Sequence, residues 1–138
     1  MITPVILDCS ATLAWLLPDE VTPESEALLD HVQQYGALVP NLWGVEVANS
    51  LLVAERRGRI DAPNCGALLE TLRDLPIREV DDALHYPFRC PLNLAKQYHL
   101  TLYDALYFEL ALRYSYPLAT RDKALTTAAS QAKVALFF

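Results

Sequence analysis

The sequence predicts a three-layer α/β/α fold with a central, mostly parallel sheet of about five strands. Short apolar runs alternate with longer segments of helical periodicity, which is typical of parallel strands joined by helices. The first apolar run, Val5 to Leu7, is unbroken, as expected of a strand that is buried on both faces. A chain of 138 residues suffices for one hydrophobic core, so we expect residues 1–138 to form a single domain.

Capping and breaking residues define the elements of the first half. Asp8 closes the first strand, and Ser10 is the predicted cap of a helix that runs to Leu17. Thr22 is the predicted cap of the second helix, which Gly36 ends. The other elements expected in this half are a strand at residues 37–39, helices at 42–57 and 62–74, and a strand at 76–80.

The second half is predicted to alternate in the same way. Thr101 caps the clearest helix of the chain, Leu102–Tyr114. A helix within residues 87–99 precedes it. The remaining elements are a strand at Leu118–Ala119, a helix at Lys123–Ala132 and a last strand at residues 134–138. In sheets of this kind, ligands bind outside the carboxyl ends of the strands, so polar residues at those ends are candidates for a site.

The composition narrows the classes of function. Apolar residues make up 53% of the chain, so part of the apolar surface is expected to face another subunit or a partner protein. The formal net charge of −6 weakens a nucleic-acid interpretation without excluding it, because phosphate contacts use Lys and Arg. Three cysteines without paired spacing favour reduced thiols in a cytoplasmic protein. No apolar run approaches the ~20 residues of a membrane span.

Two aspartates directly follow predicted strands. Asp8 follows the first strand, and Asp122 follows the strand at Leu118–Ala119, with Thr120 two residues before it. For each aspartate taken alone, a purely structural role at the end of a strand or as the cap of the next helix is a plausible explanation. The carboxyl ends of parallel strands lie at one edge of a sheet, so we expect the two acids to approach each other.

Two further acids lie on helices that face the core. Glu46 is part of the helix at residues 42–57, which is apolar on most of its circumference. A carboxylate in that position needs a pairing side chain, a metal ion or a place at the solvated rim of an interface, because burying it alone is unfavourable. Asp104 is suited to the first helical turn after Thr101, but it also begins an apolar stripe that continues with Tyr107. We therefore expect four acids to converge at one end of the sheet.

Four segments give the chain a resemblance to a known family. They are VILDCS at residues 5–10, LWGVEVAN at 42–49, LTLYDAL at 100–106 and LATRDKAL at 118–125. Their order and spacing span the chain. With these segments the chain resembles a PIN-domain ribonuclease, and most closely a VapC-type toxin of a toxin–antitoxin system.

The resemblance implies an acidic metal site. Its ligands would be Asp8, Glu46, Asp104 and Asp122, with hydroxyl assistance from Ser10 and Thr120 and a polar neighbour at Asn49. Carboxylates about 5 Å apart repel by about 3 kcal/mol per pair, so such a cluster calls for a cation, and all-oxygen ligands select Mg²⁺ or Mn²⁺ over zinc. Cys9 is excluded from the set on the expectation that neighbours on a strand point to opposite faces.

The implied function is a metal-dependent endoribonuclease that cleaves RNA phosphodiester bonds. A small antitoxin protein would be its partner. Apolar residues on two flanks of the helix at 42–57 additionally predict a homodimer.

Two other interpretations remain open. One is a Mg²⁺-dependent α/β protein that is phosphorylated on aspartate. A haloacid-dehalogenase-like phosphatase would need an aspartate where Ser10 stands, and a receiver domain would use Asp81 and Asp82 but leave Glu46 and Asp104 without a role. The other is a non-catalytic PIN module that only binds a partner. Metal binding discriminates this module from a nuclease.

Overall fold

Four parallel strands form the central sheet. The computed structural model describes residues 2–81 and 90–138. The strands are β1 (Val5–Leu7), β2 (Ala37–Pro40), β3 (Ile77–Val80) and β4 (Leu118–Ala119). Their order is β3-β2-β1-β4, and every pair of neighbours is parallel. With the helices that flank this sheet, the predicted three-layer α/β/α fold is confirmed.

Helices connect the strands and cover the sheet. They are α1 (Cys9–Leu16), α2 (Pro23–Tyr35), α3 (Leu42–Arg56), α4 (Ala62–Arg73), α5 (Cys90–Tyr98), α6 (Leu102–Tyr114) and α7 (Lys123–Ala132), with a short 3₁₀ turn at Pro18–Glu20. Helix α6 packs on β1, β2 and β4, and α5 covers α6. Helix α1 packs against α2 and α3. The start of the helix predicted within residues 87–99 lies outside the described residues.

The centre and the edge of the sheet differ in polarity. Val5, Ile6 and Leu7 of β1 are fully buried between β2 and β4, which explains why this run contains no polar residue. Strand β3 is an edge strand, and its Arg78 and Glu79 are exposed. Charged residues are a common feature of edge strands because they oppose pairing with other chains.

Helix α2 begins and ends where the sequence predicts. The hydroxyl of Thr22 accepts the backbone N–H of Ser25, and Ser25 accepts the N–H of Thr22 in return. Gly36 ends the helix at a φ of 86° and donates its N–H to the carbonyl of Val32. A Cβ atom at Gly36 would lie 3.0 Å from the carbonyl oxygen of Pro76, so both the conformation and the space favour glycine.

Helix α1 starts earlier than predicted, and the prediction that Ser10 caps it is wrong. Asp8 is the cap: its Oδ1 accepts the backbone N–H of Ala11 at 2.8 Å. Ser10 is the second residue of the helix. Asp8 both ends the strand and caps the helix, because the chain turns from strand to helix at this single residue.

The predicted fifth strand, residues 134–138, is reduced to one parallel bridge between Leu136 and Leu118. The Leu118 N–H donates to the carbonyl of Ala135, and the Phe137 N–H donates to the carbonyl of Leu118. Strand β4 has only two residues, so it offers no further ladder positions to this segment. The described sheet therefore has four strands where about five were expected.

None of the helices in the described ranges has both the length and the apolar character that crossing a membrane requires.

Candidate active site

Two of the four predicted acids meet at the carboxyl edge of the sheet. Strand β1 pairs with β4 so that Leu7 lies opposite Ala119. Asp8 directly follows β1, and its N–H donates to the carbonyl of Ala119 at 3.2 Å. Asp122 follows three residues after Ala119 and begins α7. The pairing of β1 with β4 therefore brings these two acids to the same part of the sheet edge.

Asp8 is buried and held by several donors. Its Oδ1 accepts hydrogen bonds from the Ala11 N–H and the Ser10 hydroxyl, both at 2.8 Å. Its Oδ2 accepts from Ser10 at 3.0 Å and from the hydroxyl of Thr120. Burial raises the pKa of Asp8 to about 6, although these hydrogen bonds oppose the rise, and the charge of Asp122 adds to it. The orientation of this carboxylate is thus fixed by its own chain.

Thr120 links Asp8 to Asp122. While its hydroxyl donates to Asp8, the same oxygen accepts the backbone N–H of Asp122 at 2.9 Å. Asp122 in turn caps α7, because its Oδ2 accepts the N–H of Leu125 at 2.9 Å. Ser10 contributes to the same loop by accepting the N–H of Arg121 at 2.8 Å. The structure thus brings both predicted hydroxyl residues beside the acids.

Asp104 enters the site from the first turn of α6. Its backbone N–H donates to the hydroxyl of Thr101, the cap of that helix, at 3.1 Å. Burial, together with the smaller effects of the charges on Asp122 and Asp8, raises the pKa of Asp104 to about 6. The two charge effects place Asp104 within electrostatic reach of both strand-end acids.

Glu46 enters the site from α3. Its Oε1 accepts a hydrogen bond of 2.5 Å from the hydroxyl of Tyr107 on α6. Burial raises the pKa of Glu46, Tyr107 opposes the rise, and the charge of Asp104 adds to it. Burial and the carboxylate together raise the pKa of Tyr107 well above its usual range, so its hydroxyl is the donor in this bond.

All four acids line one open cavity of about 280 Å³. Its walls are formed by Asp8, Cys9, Ser10, Leu13, Glu46, Ser50, Asp104, Tyr107 and Asp122. A larger cavity of about 580 Å³ lies near the start of β4, but none of the described residues that line it is acidic. The acidic residues that line the smaller cavity, and not its volume, therefore identify it as the candidate site.

Besides the apolar Leu13, three residues of the cavity walls were not predicted as site residues. Cys9 lines the cavity because it is the first residue of α1 and not part of a strand, so the reason for excluding it was wrong. Burial raises the pKa of its thiol to about 11, so the thiol is protonated at neutral pH in the metal-free protein. Ser50 lies one turn after Glu46 and within 3.5 Å of the Cys9 sulfur. Tyr107 follows Asp104 by one turn, whereas Asn49 is exposed and lies outside the cavity walls.

The negative charges of the acids lie close to helix amino termini and not beside cationic side chains. No lysine or arginine is among the described residues that line the cavity. Asp8 and Asp122 cap α1 and α7, and Asp104 lies in the first turn of α6. Three helix amino termini, each carrying partial positive charge, therefore point towards one acidic cluster. The nearby Arg121 guanidinium is bound to the carbonyl of Glu20 and the hydroxyl of Thr22.

The donor set fits a hydrated divalent ion. In residues 2–81 and 90–138, no three Asp, Glu, His or Cys side chains are arranged to hold an ion directly. The cavity of about 280 Å³ has room for several waters of ~30 Å³ each, and Mg²⁺ usually keeps part of its water shell. A cation would also relieve the repulsion that raises the pKa of Asp104. Asp8, Glu46, Asp104 and Asp122 are thus suited to hold such an ion partly through water.

Comparisons with known proteins bear on the family and the fold. No family model matches the chain. Ribonuclease VapC3 of Pyrobaculum aerophilum is 30% identical over 125 residues, which cover 88% of this chain and 91% of that protein. The crystal structure of PAE2754 from Pyrobaculum aerophilum matches with a TM-score of 0.69 and 24% identity, over 99% of this chain and 91% of that chain. The second likeness supports the fold.

Proposed function

Because the chain belongs to the VapC family of PIN-type ribonucleases, we propose that it is a Mg²⁺- or Mn²⁺-dependent endoribonuclease and the toxin of a type II toxin–antitoxin pair. The observation that carries the proposal is the single cavity lined by Asp8, Glu46, Asp104 and Asp122. Burial raises the pKa of Asp8, Glu46 and Asp104, and the charge of a neighbouring acid adds to each rise, as is common at functional sites.

The proposed chemistry is hydrolysis of an RNA phosphodiester bond. A bound divalent ion would lower the pKa of a water molecule and neutralise charge on the phosphate. Asp8 has a fixed orientation because Ser10, Ala11 and Thr120 all donate to it. Asp104 and Asp122 face the same cavity from two other helices, and Glu46 is the fourth acid around the reacting groups.

The acidity of the chain is compatible with an RNA substrate. Counting the four acids as metal ligands reduces the formal charge from −6 to about −2. The cavity is open, and the described residues lining it add no positive side chain. We therefore propose that the phosphate is attracted to the loaded metal site and to the helix amino termini around it. An RNA target places the proposed activity in the cytoplasm.

Two kinds of protein partner are proposed. One flank of α3 is covered by the chain itself: Trp43, Val47, Leu51 and Ala54 are buried. On the other flank Val45 is 73% and Leu52 is 41% exposed, and we propose that this flank forms a homodimer contact. The second partner is a small antitoxin that covers the cavity with a basic side chain, for which the acidic walls offer charge complementarity.

The geometry is an argument against the two alternative functions, an α/β protein that is phosphorylated on aspartate and a non-catalytic PIN module. A phosphatase that is phosphorylated on Asp8 would need an aspartate where Ser10 stands, and the Ser10 hydroxyl instead donates to the Asp8 carboxylate. A receiver domain would use acids after β3, but that strand is separated from β1 by β2, and Asp82 lies outside the described residues. A non-catalytic module could use Asp8, Asp122 and Asp104 at helix starts, but it would have no such use for Glu46, which caps no helix.

Sequencing of RNA ends after brief expression tests the proposal. Wild-type protein should produce new RNA ends at a restricted set of positions, and Asp104→Asn should produce none. Expression of the variant at the same level controls for indirect effects of protein production. An identical pattern of RNA ends in the two samples would mean that the proposed ribonuclease activity is wrong.

A further inference from the structure

The hydrogen bond between Tyr107 and Glu46 joins two helices across the cavity. Tyr107 lies on α6, one turn after Asp104, and Glu46 lies on α3, 61 positions away in the sequence. The ring of Tyr107 is 1% exposed and its hydroxyl donates to Oε1 of Glu46 at 2.5 Å. A buried tyrosine hydroxyl needs a polar partner, and an ionised acceptor makes a short, strong bond.

The bond makes the two oxygens of Glu46 unequal. Within residues 2–81 and 90–138, Oε1 receives the Tyr107 hydroxyl, and no described donor reaches Oε2. Asp8 is different, because donors reach both of its oxygens. Glu46 therefore keeps one oxygen whose acceptor capacity is unfilled, on a side chain that lines the cavity.

We propose that Tyr107 is a positioning residue, which holds Oε1 of Glu46 so that Oε2 alone orients the attacking water. This inference rests on the proposed ribonuclease function and assigns Glu46 within it. With one oxygen occupied by Tyr107, Glu46 does not bind the metal through both oxygens. Asp8, Asp104 and Asp122 then carry most of the affinity for the ion.

Tyr107→Phe tests the inference because it removes the hydroxyl and keeps the ring in the core. Freed from its donor, the carboxylate rotates, and the water loses its fixed position. We expect kcat to fall by about 10-fold to 100-fold, with KM for RNA and the dissociation constant for Mn²⁺ within about twofold of wild type. Binding of Mn²⁺ is measured by electron paramagnetic resonance, which does not depend on activity.

Tyr98→Phe is the matched control. Tyr98 lies on α5 and packs edge-on against Phe108 of α6, with ring centroids 4.9 Å apart, and it is outside the cavity walls. Its loss of a hydroxyl should leave kcat unchanged. Thermal unfolding of both variants shows whether either substitution alters the folded state.

A double-mutant cycle separates positioning from an independent role. If Tyr107 acts through Glu46, Tyr107→Phe should cost no further activity in a Glu46→Gln protein. Wild-type kcat in Tyr107→Phe, additive losses in the cycle, or loss of Mn²⁺ binding in Tyr107→Phe would each overturn the inference while leaving the ribonuclease proposal intact. A wild-type protein that cleaves no RNA with Mn²⁺ present would overturn both.

Discussion

The hydroxyl of Thr120 donates a hydrogen bond to the carboxylate of Asp8. Because the same oxygen accepts the N–H of Asp122, Thr120→Val should leave this partly buried N–H without an acceptor and remove one of the donors to Asp8. We expect the free energy of unfolding to fall by about 1–3 kcal/mol and RNA cleavage to slow by about tenfold. Thr120→Ser keeps the hydroxyl and should retain most of the free energy of unfolding and most of the rate of RNA cleavage. Equal losses in the two variants would contradict the role of the hydroxyl.

Asp8→Asn and Asp104→Asn should each abolish RNA cleavage while the protein stays folded. The substitution removes a metal ligand and, in the absence of metal, a repulsive charge. Mn²⁺ at a hundred times its dissociation constant should stabilise wild type by about 2.7 kcal/mol and each variant by much less. Asp30→Asn, at an exposed position of α2, is the control. Full cleavage by either site variant would end the metal-nuclease proposal.

The stability of the metal-free protein should decrease as the pH rises from about 4 to about 6. The pKa of Asp8 and of Asp104 is raised from 3.8 to about 6 in the folded state, so the folded protein binds more protons than the unfolded chain in this window. The contribution of Asp8 is on the order of 3 kcal/mol. Urea unfolding at several pH values in EDTA measures it. In Asp8→Asn the free energy of unfolding should decrease less steeply with pH. The same slope as in wild type would contradict the assignment of a raised pKa to Asp8.

Expression of the protein alone should arrest growth. Co-expression of the neighbouring small gene, the candidate antitoxin, should restore growth, because the antitoxin is expected to cover the acidic cavity. Asp104→Asn expressed to the same level is the control and should be harmless. Normal growth with abundant soluble wild-type protein would count against the toxin role, although cleavage measured in vitro would still support the chemistry.

Light scattering at micromolar concentration should give about twice the chain mass of 15.4 kDa. Val45→Asp places a charge on the exposed flank of α3 and should reduce the mass to that of one chain without lowering RNA cleavage per site. Leu112→Asp, at an exposed apolar position on α6, is the comparison. Dissociation by Leu112→Asp alone would move the interface to α6, and a wild-type mass of one chain would exclude the dimer.

The positions of three acids could be predicted from local sequence patterns. Asp8 and Asp122 follow short buried runs that are readable as parallel strands, and parallel strands bring their ends together. Asp104 begins a stripe with helical spacing that faces the core. Each conclusion needs only the period of one element and the rule that ligands bind at the carboxyl edge of such a sheet.

The partners of these acids could not be predicted in the same way. The bond from Tyr107 to Glu46 depends on how α6 crosses α3, which no local pattern specifies. Tyr107 was recognised as a core residue, which it is, but burial of its ring gave no information about its hydroxyl. The last strand was overestimated for a similar reason: residues 134–138 are apolar enough, but the two-residue β4 limits what they can pair with.

Three of the four acids of the cavity also stabilise a helix start, and the fourth does not. This difference decides which acid is the best indicator of nuclease activity in related proteins. Asp8 and Asp122 cap helices, and Asp104 stabilises the first turn of another. A descendant that had lost nuclease activity would still be selected to keep an acid or an amide at these positions in order to fold. Glu46, in the second turn of α3, caps no helix. Among the four acids, Glu46 would therefore be the first to be replaced by an apolar residue in a relative that has lost nuclease activity and only binds a partner.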